Sequence, residues 1–146
     1  MKKSKKLLLL TFIFACVGFV FLSNSGDASA YSGTKTLNLN SQWPYAGKAY
    51  MHVRDSGSTI YSTFEPAYHQ DTYVTASVQR YVSGNWKTIE SKSGTARYGW
   101  GVKKQNFNAT FYGYANKNQK VRVRYTLRGS KGSSVMQTGY SYSWTK

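Results

Sequence analysis

The sequence predicts an all-β protein: a single antiparallel β-sandwich (Ig-like or related, about eight strands) behind a cleaved secretory leader. Three observations carry this reading. Apolar and polar residues alternate with a period of two in stretch after stretch. β-branched and aromatic residues dominate those stretches. No segment after Ala30 repeats apolar residues at the spacing of an amphipathic helix.

Residues 1–30 stand apart as a leader. Lys2, Lys3, Lys5 and Lys6 form a positive start, and Leu7 to Leu22 form an apolar run broken only by Thr11 and Gly18. Ala28-Ser29-Ala30 supplies the small residues of a signal-peptidase site, so cleavage is expected between Ala30 and Tyr31. The run of 16 residues is short for a membrane span, which needs about 20. Ile13-Phe14-Ala15-Cys16 loosely resembles a lipoprotein cleavage box. The apolar run continues past it, however, and Phe14 is bulky where a small residue is usual. Export to the medium, or loose association with the wall, is therefore expected.

Cleavage leaves 116 of the 146 residues, forming one domain over 31–146, and lowers the formal charge from +15 to +12. It also removes Cys16, the only cysteine. That excludes a disulfide-stapled toxin, a thiol enzyme and a Cys-ligated metal site. A chain of this length can bury enough surface to stand on its core alone.

The strands follow in order. A weak one is expected near 35–40. In 48–54, Ala49, Met51 and Val53 alternate with Lys48, Tyr50, His52 and Arg54. Another weak strand lies near 58–64. Residues 72–82 place Val74, Ala76 and Val78 on one side, with Tyr73, Thr75, Ser77, Gln79 and Tyr81 opposite. Ser83-Gly84-Asn85 then reads as a tight hairpin into 86–91. A weak strand near 97–102 contains Tyr98-Gly99-Trp100-Gly101, where the glycines bend the strand or put Trp100 at a corner. In 107–114, Phe107, Ala109 and Phe111 alternate with Asn108, Thr110, Tyr112 and Tyr114. Residues 119–128 alternate most clearly, with Val121, Val123, Tyr125 and Leu127 against Lys120, Arg122, Arg124, Thr126 and Arg128. The chain closes on Tyr140, Tyr142 and Trp144 alternating with Ser141, Ser143 and Thr145.

Little in the mature chain points to catalysis. It offers four carboxylates (Asp55, Glu65, Asp71 and Glu90) and two imidazoles, His52 and His69. His69-Gln70-Asp71 could orient a base or hold a metal, but no third ligand or nucleophile motif accompanies the pair. It reads as a polar loop after Pro66, and His52 as a solvated residue on a polar strand face. Glu65 and Asp71 are the only pair of acids that one loop could bring together for glycoside hydrolysis. The expectation is a non-enzyme, with no catalytic residue, cofactor or metal.

Basic residues interleaved with aromatics are the informative pattern. Neighbours on one strand face lie about 7 Å apart, so Lys120 to Arg124 span roughly 13 Å of positive surface, continued by Arg128. With 16 bases against four acids, local pairing cannot cancel that field. Such a surface attracts polyanions. A charged row on a solvated or edge strand is the plainer explanation. Thirteen tyrosines add a second signal, because a phenol needs a hydrogen-bond partner when buried. Tyr112 and Tyr114, on a polar face, are candidates for stacking on sugars.

The Lys-rich leader, the cysteine-free mature chain and the Ser/Tyr/Lys-rich composition resemble small secreted proteins of Gram-positive bacteria. The stretch Val78-Gln79-Arg80 to Gly84-Asn85-Trp86-Lys87-Thr88 is similar to hairpins of secreted Ig-like bacterial modules, whose functions vary too widely for any to carry over. The expected function is a secreted, cationic, non-catalytic binding module. Its expected partner is an anionic or saccharide polymer of the cell envelope. The alternatives are a toxin-like or antimicrobial effector on anionic lipid surfaces and, further off, a secreted hydrolase or enzyme inhibitor. Export argues against nucleic acid as a partner in vivo.

Overall fold

The computed structural model describes residues 31–146. The leader, Cys16 and the expected cleavage after Ala30 lie outside the described residues. Ten strands run in order: β1 (Ser32–Asn38), β2 (Lys48–Ser56), β3 (Thr59–Glu65), β4 (Gln70–Val82), β5 (Asn85–Gly99), β6 (Val102–Gln105), β7 (Phe107–Phe111), β8 (Lys120–Arg128), β9 (Gln137–Tyr140) and β10 (Trp144–Thr145). There is no helix among the described residues.

The strands form two antiparallel sheets, an arrangement consistent with a β-sandwich. The smaller sheet has the order β1-β2-β3-β7. The larger has the order β10-β8-β4-β5-β6, with β9 also paired to β8. Alternation decides what fills the space between them. Met51, Val53, Ile60 and Phe64 of the smaller sheet share one core with Val74, Val78, Val121, Val123, Tyr125 and Leu127 of the larger. The Tyr125 hydroxyl, deep in that core, exchanges a 2.8 Å hydrogen bond with Ser62 across the gap. Burial pushes this phenol's pKa well up, with the Ser62 bond opposing. The buried phenol thus has the partner it requires.

Three expectations need correction. The weak strand near 97–102 is in fact a hairpin. β5 runs on to Gly99, and the chain reverses at Trp100-Gly101 into β6. Tyr114 does not share the polar face of Tyr112. Regular pairing ends at Phe111, Gly113 takes a φ of +77°, and Tyr114 turns inward to 5% exposure. The closing strand is broken at 141–143, so β9 and β10 are successive pieces along the same edge of β8. At the break Ser141 is buried, and its hydroxyl accepts the Val123 amide at 2.9 Å. The phase therefore shifts, leaving Tyr140 and Tyr142 exposed and Trp144 buried. By contrast, the expected hairpin at Ser83-Gly84 is present. Both residues have positive φ (51° and 80°), the geometry of a tight two-residue turn.

Candidate functional site

β8 lies inside the larger sheet, between β4 and the β9–β10 edge, so its charges are not the guard of an exposed strand edge. Its alternate residues Val121, Val123, Tyr125 and Leu127 are completely buried. The strict period of two then sends Lys120, Arg122, Arg124 and Arg128 to the outer face, over about 27 Å.

Arg122 is the centre of this row. Its guanidinium lies 4.1 Å from the ring centroid of Trp86 and 4.1 Å from that of Tyr140. Its Nε donates to Gln79 Oε1 at 2.9 Å. Desolvation lowers its pKa, Tyr140 opposes that, and the neighbouring Arg124 lowers it further. A guanidinium still keeps its proton at neutral pH, so the result is a cation that has lost part of its water. Arg124 is paired in register with Ser77 and Tyr140, and its buried Nε has no hydrogen-bond partner. Arg128 reaches Thr75 at 3.4 Å, and Lys120 is exposed.

Beside the arginines runs a floor of hydroxyl and amide groups on β4 and β5. Thr75 meets Ser93 at 2.8 Å, Ser77 meets Ser91 at 2.8 Å, and Gln79 donates to Thr88 at 3.1 Å. Asp71, at the start of β4 beyond Tyr73, is the one carboxylate in the outward phase of these two strands, and it is committed elsewhere. Asp55 is paired with Lys146, Glu65 with Lys104 and His52, Asp71 with Arg97, and Glu90 with Lys92. Among the described residues, then, the β8 cations have no ion-pair partner. No protein-family model, curated protein or solved structure matches this chain.

Tyr112 and Tyr114 belong to a different place. They line a cleft of about 560 Å³ with Arg80, Glu90 and Lys117, to which none of the four β8 cations contributes. Tyr112 is 70% exposed, with the Lys92 ammonium 5.7 Å from its ring. Tyr114 offers no free ring. Its hydroxyl donates to Glu90 at 3.2 Å, and burial first, then Glu90, pushes its pKa up to about 12.

The histidines are engaged in ways the sequence does not show. His52 keeps 38% of its side chain exposed on its polar strand face, and it is also held, with Nδ1 2.8 Å from Thr34 Oγ1 and Nε2 3.3 Å from Glu65. His69 sits among aromatic rings, and Asp71 turns to Arg97, so the two form no joint site. Glu65 is likewise committed. The bond from Lys104, 2.5 Å long, and then that from His52 lower its pKa against the effect of burial.

Sequence reasoning found the β8 cations because one strand carries them all. It missed Trp86 and Tyr140, which reach Arg122 only through the β4–β5 and β8–β9 pairings. The signal available was Trp86 just beyond the Ser83-Gly84 turn.

Proposed function

We propose that the mature chain is an exported, non-catalytic binding module. The outer face of its larger sheet takes an anionic polymer of the bacterial cell envelope. One observation carries this reading: four cations in a row without carboxylate partners, the central one fixed between two aromatic rings. A cation that has already shed water and is held in one geometry loses little further entropy on meeting a phosphate or carboxylate. Arginine's planar fork also suits those anions better than lysine's point charge. The neighbouring hydroxyls and amides of β4 and β5 offer further hydrogen bonds to such a polymer.

The test compares wild type with Arg122→Gln/Arg124→Gln in binding to poly(glycerol phosphate) across a salt series. Wild-type affinity should fall steeply with salt, as counterion release requires. The double variant should fold, bind more weakly and show a log–log salt slope shallower by about two. Unaltered affinity and slope would refute the assignment. Leakage of dye from anionic vesicles at binding concentrations would favour the membrane effector instead, a reading supported by the exposed Trp100 and Val102. Recovery of protein beginning at Tyr31 from the culture medium checks export.

A further inference from the structure

We propose that a second site, at one end of the molecule and apart from the β8 face, stacks on the face of an uncharged sugar ring. Three connections converge there: the β1–β2 loop with Tyr45, the β3–β4 segment with Tyr68 and His69, and the β5–β6 turn with Trp100. His69 is the hub. Its ring centroid lies 3.8 Å from that of Tyr68, 4.2 Å from Trp100 and 5.7 Å from Tyr45. Tyr98 closes edge-on against Tyr68 at 4.8 Å. Despite this packing, Trp100 remains 72% exposed, Tyr68 54% and Tyr45 45%.

The backbone is shaped to present these rings. The β5–β6 turn has Trp100 at a φ of +52° and Gly101 at +79°, positions where Asn-Gly is the favoured pair. A bulky aromatic residue gains nothing locally from the left-handed region, and this one is not repaid by burial. His69, immediately before β4, also has a positive φ of 60°. Gly99 lets the two segments touch, since a Cβ there would stand 2.8 Å from the His69 amide nitrogen. The loop carrying Tyr45 is tied down as well, its carbonyl accepting from Gln70 Nε2 at 3.0 Å. Backbone outliers of this kind gather where a ligand is clamped. What this cluster gains from them is a set of exposed ring faces, fixed before anything binds.

The chemistry of the rim favours a sugar over a lipid. The rings around His69 are inclined to it by 41° to 52°, making facets rather than a protruding plug. Two of the three most exposed rings are tyrosines, whose hydroxyls can serve the edge of a sugar while the ring meets its C–H face. Beside them, Lys104 lies 5.4 Å from the Tyr98 ring while bound to Glu65, a neutralised pair, although the neighbouring Lys103 is exposed and without an ion pair among the described residues. An anionic headgroup would meet that carboxylate, whereas a neutral sugar can use both members of the pair as hydrogen-bond partners. This is the usual make-up of a small-molecule site, apolar faces with a few placed polar groups.

The experiment titrates mature protein with cellotetraose, chitotetraose and mannotetraose at low and high salt, following tryptophan fluorescence and heat. At least one should saturate in the millimolar range or tighter, with affinity independent of salt. Trp100→Asn suits the turn's backbone and should fold normally while weakening binding at least tenfold. Trp100→Phe should retain part of it, and Tyr68→Ala should also weaken it. Arg122→Gln/Arg124→Gln should bind these sugars as wild type does, so the two sites fail or stand separately. The proposal is overturned if none of the three saturates, or if Trp100→Asn keeps full affinity. A blue shift of tryptophan fluorescence on phosphatidylglycerol vesicles that Trp100→Asn abolishes, without a response to any sugar, would overturn it in favour of a lipid surface.

Discussion

Asp55 is nearly enclosed, and its surroundings compensate for the lost water with directed bonds. Trp144 Nε1 donates to Oδ2 at 3.0 Å, the Lys146 ammonium binds Oδ1, and the same ammonium reaches the Gly57 carbonyl at 2.6 Å. Both side chains of the ion pair are under a tenth exposed. Removing one partner leaves the other charge buried and uncompensated, so Lys146→Met should cost about 3–5 kcal/mol in denaturant unfolding. Replacing both, as Asp55→Leu/Lys146→Met, should recover much of that loss; a double variant as unstable as the two single changes added would argue against it. Tyr114 gives a second residue-level test. Burial and Glu90 hold its hydroxyl protonated to about 12, above the usual 10.0, so the folded chain binds more protons between those values. Its contribution to stability is complete below pH 10 and fades as pH rises through 12. In Glu90→Gln, ultraviolet titration should show this tyrosine ionising at lower pH; an unmoved titration would mean that burial alone sets the shift.

At the level of single strands, β8 was the most legible element and the closing segment the least. Val121 to Leu127 alternate without a break because β8 pairs along its length with β4, and a continuous ladder keeps the period of two intact. Val123→Asp would put an unpaired charge at a fully buried position and should cost several kcal/mol, seen as a large fall in melting temperature. A melting temperature like that of wild type would mean that the faces of β8 are reversed. Residues 140–145 misled because one buried serine hydroxyl takes over a backbone bond of the ladder, after which the alternation resumes in the opposite phase. Tyr114 misled in the same way, past Gly113. β5 was read too short because most of it is polar: Ser91, Ser93 and Thr95 pave the outer face, while the inward-phased Glu90 and Lys92 are tied to Tyr114 and to the Thr110 carbonyl. Its extent is dictated by the 13 residues of β4 beside it, which a local pattern does not reveal. The same reasoning applies to the candidate sites. Cations carried on one strand are visible in sequence, whereas the rings that hold Arg122 and the cluster around His69 arise from pairings between distant segments.

Over the whole molecule, a charge of +12 for residues 31–146 acts against compactness, because each uncompensated cation repels the rest. Arg124 bears this most directly, with a buried Nε lacking a hydrogen bond and Arg122 as its neighbour. If the β8 face exists to meet an anion, the free protein holds that repulsion in reserve, and binding relieves it. Stability and binding should then move in opposite directions. In the free protein, Arg124→Gln should raise the melting temperature at low ionic strength. That gain should shrink between about 10 mM and 0.1 M salt, as the screening length falls from about 30 to 10 Å. With poly(glycerol phosphate) added, wild type should gain about 2.7 kcal/mol when the ligand stands at one hundred times its Kd. That corresponds to roughly 11 °C in melting temperature for a domain of this size. The variant at the same ligand concentration should gain clearly less. Scanning fluorimetry of both proteins, with and without the polymer, reads all four conditions. A variant that is less stable alone, yet gains as much from the polymer, would show that Arg124 contributes packing to the sheet and takes no part in a binding face.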